Sequence, residues 1–198
     1  MKRSNVPTTR TVAAFSLATL LASSAFAHAG HELASGAAAG FMHPLTGLDH
    51  LLALVSSGVL LASCTPRARR MGAGALAAAL LLGAVLGRLG HYLPALEVIL
   101  AFSVVVAGLA VAARQPLGSA GWLLVGMTGF ALFHGYAHGA EATGEVSAFV
   151  AAFLASSLII VGGTLFVAQR IVHRAAWRML LGVAVAASGA GMLASVAL

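Results

Sequence analysis

The sequence predicts an all-α integral membrane protein, a bundle of six transmembrane helices preceded by a cleavable signal peptide. Three observations predict it. Of the 198 residues 60% are hydrophobic and only 8% charged, where an ordinary soluble domain carries roughly 25% charged residues. Beyond residue 40 the apolar segments each run for about 20 residues, the length that crosses ~30 Å of hydrocarbon. The short polar connections between them hold almost all of the arginine.

Residues 1–27 read as a segment to be removed. Lys2, Arg3 and Arg10 give a positive start, Val12 to Ala22 a short apolar stretch, and Ala25-Phe26-Ala27 the small-x-small pattern cut by signal peptidase. Residues 28–40 are then a periplasmic N-terminal arm that begins HAGHELASG, and residues 41–198 form the six-helix domain. Its helices are expected near 41–63, 71–91, 94–113, 120–140, 145–168 and 175–197. TPRARR joins the first pair, RQPLGSAG the third and fourth, and QRIVHRAAWR the fifth and sixth. Seven of the eight arginines after residue 27 therefore fall on one side. The positive-inside rule makes that side cytoplasmic. The expectation is a multi-pass protein of the bacterial inner membrane with its mature N-terminus in the periplasm, which a cleaved signal peptide also demands.

Several function classes drop out. The pI of 11.1 suggests a nucleic-acid partner, but the basic residues are scattered between apolar runs and no nucleic-acid motif is present. Cys64 is the one cysteine, so it makes no internal disulfide and no CxxC metal site, and it is expected to pack as a small apolar residue. No GxxxxGK[ST] phosphate loop exists, so the chain hydrolyses no ATP by that device.

The polar residues segregate. His43 and His50 fall in the outer half of the first helix, Glu97 at the outer start of the third, and His134, His138 and Glu141 at the outer end of the fourth. Inserting six helices does not require this, because the sorting machinery reads Lys and Arg and largely ignores acids. At 3.6 residues per turn His134, His138 and Glu141 stay within about 60° of one another. His43 and His50, seven apart, share a face of the first helix, and Asp49 can either ligate or receive a ring N–H from a ligand histidine. An Asp in mid-bilayer costs on the order of 2.5–3.5 kcal/mol and is rarely kept without use. Imidazole mixed with carboxylate suits Ni2+, Co2+, Zn2+ or Cu2+; the lack of a thiolate or Met cluster argues against Cu+, and imidazole argues against Mg2+ or Ca2+.

Blander readings stand beside this one. Hydrogen bonding between helices would also retain the stripe, at about 0.6 kcal/mol per bond, and His–carboxylate chains also relay protons. His91 reads as an interfacial residue and His173 as a solvated loop residue. Gly135 with Gly139, and Gly83 with Gly87, form GxxxG pairs that let helices approach closely. His28 and His31 of the arm are either late metal ligands or an incidental tail.

Three segments, HPLTGLDHLLAL (His43 to Leu54), PALEVILAFS (Pro94 to Ser103) and FALFHGYAHGAE (Phe130 to Glu141), resemble in order the HupE/UreJ family of nickel and cobalt permeases. The resemblance runs over nearly the whole chain after the leader. It implies that His43, Asp49, His50, Glu97, His134, His138 and Glu141 handle metal, and that the protein is no enzyme and has no prosthetic group. Its partners would be the bilayer and a divalent ion, Ni2+ first, with Co2+ or Zn2+ as alternatives. A metal-dependent membrane hydrolase and a non-transporting metal-binding subunit remain rival classes, the former weakened by the lack of an HExxH pattern. The chain departs from the family where an LHxxG element is common in the fifth helix: aligned on Gly162, it has Ile159 in place of the histidine.

Overall fold

The structure is a computed structural model and describes residues 36–90, 93–113, 121–171 and 175–197. The leader, His28, His31, His91, Arg114 and His173 lie outside the described residues. Within them the chain is wholly helical: α1 (Ala37–Thr46), α2 (Leu48–Ala62), α3 (Pro66–Arg88), α4 (Leu96–Ala112), α5 (Gly121–Glu141), α6 (Val146–Ile171) and α7 (Ala175–Ala197).

By length and composition α3, α6 and α7 can each cross a membrane, and α1 with α2 makes a fourth span if the bent pair is taken as one. The six-span count therefore turns on α4, which is shorter at 17 residues, and on α5, whose last turns carry His134, His138 and Glu141. The distribution of side chains is inside-out relative to a water-soluble core. Val125, Ile159 and Met71 are more than 60% exposed, while all the buried polar residues among those described are His or Ser. Lipid takes the place of water around such a surface, and polar groups turn to the bundle interior.

Two expectations about the helices need correcting. The first helix is not a continuous 41–63 span; α1 and α2 meet at a bend of 77°. Gly47 sits at the break with an extended backbone, φ −79° and ψ 109°. Just before it, the Thr46 hydroxyl donates to the carbonyls of Met42 and His43, closing α1 on itself. TPRARR is likewise not a plain loop, because α3 already begins at Pro66. Thr65 caps it by accepting from the Ala68 N–H, and proline at the first helical position has its φ preset and loses no intrahelical bond.

Glycine decides which helices touch. On α3, a Cβ at Gly83 or Gly87 would run into the backbone carbonyl of Leu132 or Tyr136; on α5, one at Gly135 or Gly139 would run into that of Leu80 or Ala84. The two GxxxG pairs thus pack on each other, with α3 and α5 running in the same direction. Gly108 on α4 and Gly182 on α7 make an equivalent antiparallel contact. Along α6, Gly40 of α1 meets Phe149 and Gly58 of α2 meets Val161 and Thr164. α6 is therefore the rail along which the broken pair lies. The Glu145 carboxylate caps its start, accepting from the N–H groups of Ser147 and Ala148 and from the Ser147 hydroxyl. These bonds hold its carboxyl below the usual carboxylate range.

At the opposite end Arg69 closes the α2–α3 turn. Its guanidinium donates to the carbonyls of Leu61, Ala62 and Cys64 at 3.1 to 3.3 Å, the first of which also accepts from the Cys64 N–H. Cys64 is buried beside it, and burial raises its thiol above the usual range despite the nearby arginine.

Candidate metal centre

The break at Gly47 brings the first two histidines together. In a straight helix His43 and His50 would stand about 10.5 Å apart along the axis, at 1.5 Å per residue; here their ring centroids are 6.2 Å apart. Asp49 lies in the first turn of α2, where the helix dipole favours a carboxylate. A side chain at residue 47 would crowd this corner, since its Cβ would come within 3.3 Å of both Asp49 Oδ1 and His50 Nδ1.

α5 supplies the other wall. The close α3–α5 contact fixes its rotation, and the stripe of His134, His138 and Glu141 faces α1 and α2. His138 lies 4.4 Å from His43 and 3.9 Å from His50, centroid to centroid, and His134 lies 4.5 Å from His50. Two groups result, His43 with His138 and Glu141, and Asp49 with His50 and His134; within each, one donor atom per residue lies within 4.8 Å of the others. Exposure divides by residue and not by group: Asp49 is 28% accessible in the second group, and His138 is fully buried in the first. The Glu141 side chain is 59% accessible and that of His43 19%, while His50, His134 and His138 are buried.

Hydrogen bonding fixes which ring nitrogens hold lone pairs. Ser103 on α4 has one hydroxyl hydrogen, and its 2.6 Å bond to the Leu100 carbonyl uses it. Its 2.8 Å contact with His134 Nε2 must therefore be one in which the ring N–H donates, leaving Nδ1 as the lone-pair nitrogen. In the same way Asp49 Oδ1 accepts from His50 Nδ1 at 3.0 Å, which leaves Nε2. Both of these remaining nitrogens, and both on His138, are buried and without a hydrogen-bond partner. A buried polar atom left unpaired costs about 1–3 kcal/mol; neutral His138 keeps a hydrogen on one of its two nitrogens, so the four atoms together present three lone pairs without an electron-pair acceptor. A borderline divalent cation is the acceptor that imidazole and carboxylate suit. The His43 Nε2–Glu141 Oε2 contact of 3.0 Å links the more exposed pair without one.

Of the residues singled out in the sequence, His43, Asp49, His50, His134, His138 and Glu141 come together. Glu97 does not join either group; it is exposed in the first turn of α4. His28 and His31 lie outside the described residues. Ile159 is 62% exposed, so the departure from the family pattern falls on the outer surface of α6 rather than among the buried donors. Ser103 is the residue that sequence reasoning missed. Its signal was a hydroxyl inside the apolar run of α4 that follows Glu97, at the end of the quoted PALEVILAFS segment. Phe153, its ring 4.0 Å from that of His138, was also not foreseen as part of the wall.

A family model described as HupE / UreJ protein matches residues 16–193. Protein HupE of Rhizobium leguminosarum bv. viciae is 36% identical over 163 residues, which cover 81% of each chain. No solved structure matches the chain.

Proposed function

The chain belongs to the HupE/UreJ family, and from that premise we propose that it is a permease that takes up Ni2+ or Co2+ across the bacterial inner membrane. In this reading the domain crosses the bilayer six times, the arginine-rich end is cytoplasmic, and the donor end faces the periplasm. The observation that carries the reading is the convergence of donors from α1, α2 and α5 with buried imidazole nitrogens left unpartnered.

The ion is substrate, not a resident cofactor. Glu97 and the arm residues His28 and His31 capture it at the surface. His43, His138 and Glu141 then take over from part of its water shell, and Asp49, His50 and His134 complete the exchange deeper in the bundle. His138 and His50, ring to ring at 3.9 Å, are the step between the two groups. Ser103 and Asp49 hold the His134 and His50 rings in the tautomers that present lone pairs, the role outer-shell partners play at metal sites. Binding has to stay weak enough for release, and splitting the donors between two overlapping groups serves that need. No ATP is required, since a doubly charged ion moving inward gains about 4.6 kcal/mol per 100 mV of membrane potential.

Radioactive nickel uptake into proteoliposomes holding only this protein tests the reading. Wild type accumulates nickel when the interior is made negative, and His134→Ala and His50→Ala, checked for expression and folding, lose most of it. Uptake no greater than in protein-free liposomes overturns the proposal.

A further inference from the structure

Of the imidazoles that meet at the donor end, His43, His50 and His134 each have a polar partner that fixes the ring. Glu141 meets His43 Nε2, Asp49 meets His50 Nδ1 and Ser103 meets His134 Nε2, at 2.8 to 3.0 Å. His138 differs from them. It is wholly buried, and neither of its ring nitrogens has a hydrogen-bond partner. Its neighbours are other rings: His50 at 3.9 Å, His43 at 4.4 Å and Phe153 at 4.0 Å, centroid to centroid, the last inclined by 41°.

The difference comes from α6. Where α2 supplies Asp49 and α4 supplies Ser103, α6 supplies Phe149 and Phe153, four residues apart on one helix face and both almost completely buried. The Phe149 ring lies 6.0 Å from that of His43, and its backbone lies against Gly40 of α1, which holds this face of α6 close to the donor layer. A phenyl ring orients a neighbouring ring about as firmly as a neutral hydrogen bond does. It offers no lone pair on nitrogen or oxygen to the His138 N–H. Phe153 therefore neither selects a tautomer nor raises the basicity of the ligating nitrogen, the two effects of an outer-shell acceptor on a histidine ligand.

We propose that Phe153 is a positioning residue that holds His138 in place without a hydrogen bond, and so makes it a weaker and more readily released ligand than His50 or His134. The proposal rests on the permease reading for the passage of an ion, and it accounts for how His138 serves both donor groups. With no acceptor on either nitrogen, either one can carry the hydrogen and either one can present the lone pair. An ion leaving such a ligand gives up less than one leaving His50 or His134, whose rings Asp49 and Ser103 brace.

Two measurements test it. Nitrogen NMR of the purified, metal-free full-length protein carrying isotope-labelled histidine should show one tautomer each for His50 and His134, with the hydrogen on Nδ1 and Nε2 respectively. His138, identified by the signals that His138→Ala removes, should show both tautomers. A single tautomer at His138 overturns the proposal, and this measurement needs neither flux nor a change at position 153. The second measurement is a pair of substitutions. Phe153→Gln puts an amide acceptor beside His138 and should tighten Co2+ binding about tenfold, the lower end of what outer-shell partners contribute, while maximal Co2+ uptake into proteoliposomes falls by a similar factor because release slows. Phe153→Leu, apolar but without a ring, should weaken binding about threefold and leave maximal uptake within about twofold. Loss of affinity in both variants would make Phe153 plain packing and overturn the proposal, as would a Phe153→Gln protein that binds and transports as wild type does. If Phe153→Gln fails to fold, the tautomers decide. If wild type binds Co2+ but shows no flux, the permease reading falls, and the tautomers and affinities still decide the role of Phe153.

Discussion

The two ends of α2 treat their polar groups in opposite ways. Where α2 stops, Arg69 donates to the carbonyls of Leu61, Ala62 and Cys64, and the Cys64 N–H also meets that of Leu61. Where it starts, Asp49 and Ser103 satisfy one nitrogen each on His50 and His134, while four other ring nitrogens on the buried histidines remain unmet. The first arrangement is complete within the chain and reads as architecture. The second is complete only when something else arrives. Burial alone therefore does not separate structural from functional polar residues; the separation comes from counting lone pairs and hydrogens.

This contrast predicts opposite outcomes at the two ends. Removing a donor imidazole, His134→Ala or His138→Ala, should weaken Co2+ or Ni2+ binding by about a hundredfold or more while costing no more than about 2 kcal/mol of stability, since an unpaired buried group is lost along with some packing. Calorimetric titration and thermal unfolding in detergent check this. Collapse of the fold with affinity intact in the remaining folded fraction would make these histidines structural. Ser103→Ala should lower affinity by about ten- to a hundredfold, the range for outer-shell partners. Ser103→Thr, which keeps the hydroxyl, should recover most of it, and equal affinity in all three proteins would remove Ser103 from the site.

Acid should act at the donor end too. An imidazole ligates only when neutral. Uptake should accordingly fall as the external solution is acidified, because protons compete with the ion for the same lone pairs. Undiminished uptake at pH 5 would argue that carboxylates, not imidazoles, make the limiting contact. The smallest effect on metal is expected at the other end. Arg69→Ala should cost about 1–3 kcal/mol by taking the donor from part-buried carbonyls such as that of Ala62, with metal affinity unchanged. A marked loss of affinity in that variant would contradict the separation of the two ends.

Much of this was legible in the sequence. The i, i+4, i+7 stripe of α5 and the two GxxxG pairs are spacings within single helices, and helical geometry turns spacing into facing. The break at Gly47 was not legible by the same logic, because His43 and His50, seven apart, share a face of an unbroken helix equally well, and membrane helices tolerate Pro44 and Gly47 when neighbours satisfy the backbone. The pairing of Ser103 with His134 was hidden for a different reason. Its partners are 31 residues apart, and which face of α4 turns toward α5 is set by packing, here between Gly108 on α4 and Gly182 on α7, and not by any local pattern. Glu97, by contrast, was drawn in by its family motif, and the fold leaves it exposed at the rim.

X-ray absorption at the nickel edge on the nickel-loaded, purified protein tests the central claim most directly. Convergence of α1, α2 and α5 on one ion predicts two or more imidazole rings in the scattering shell together with oxygen, and the loss of one ring in His50→Ala. A shell of oxygen alone, or a spectrum that His50→Ala leaves unchanged, would contradict it.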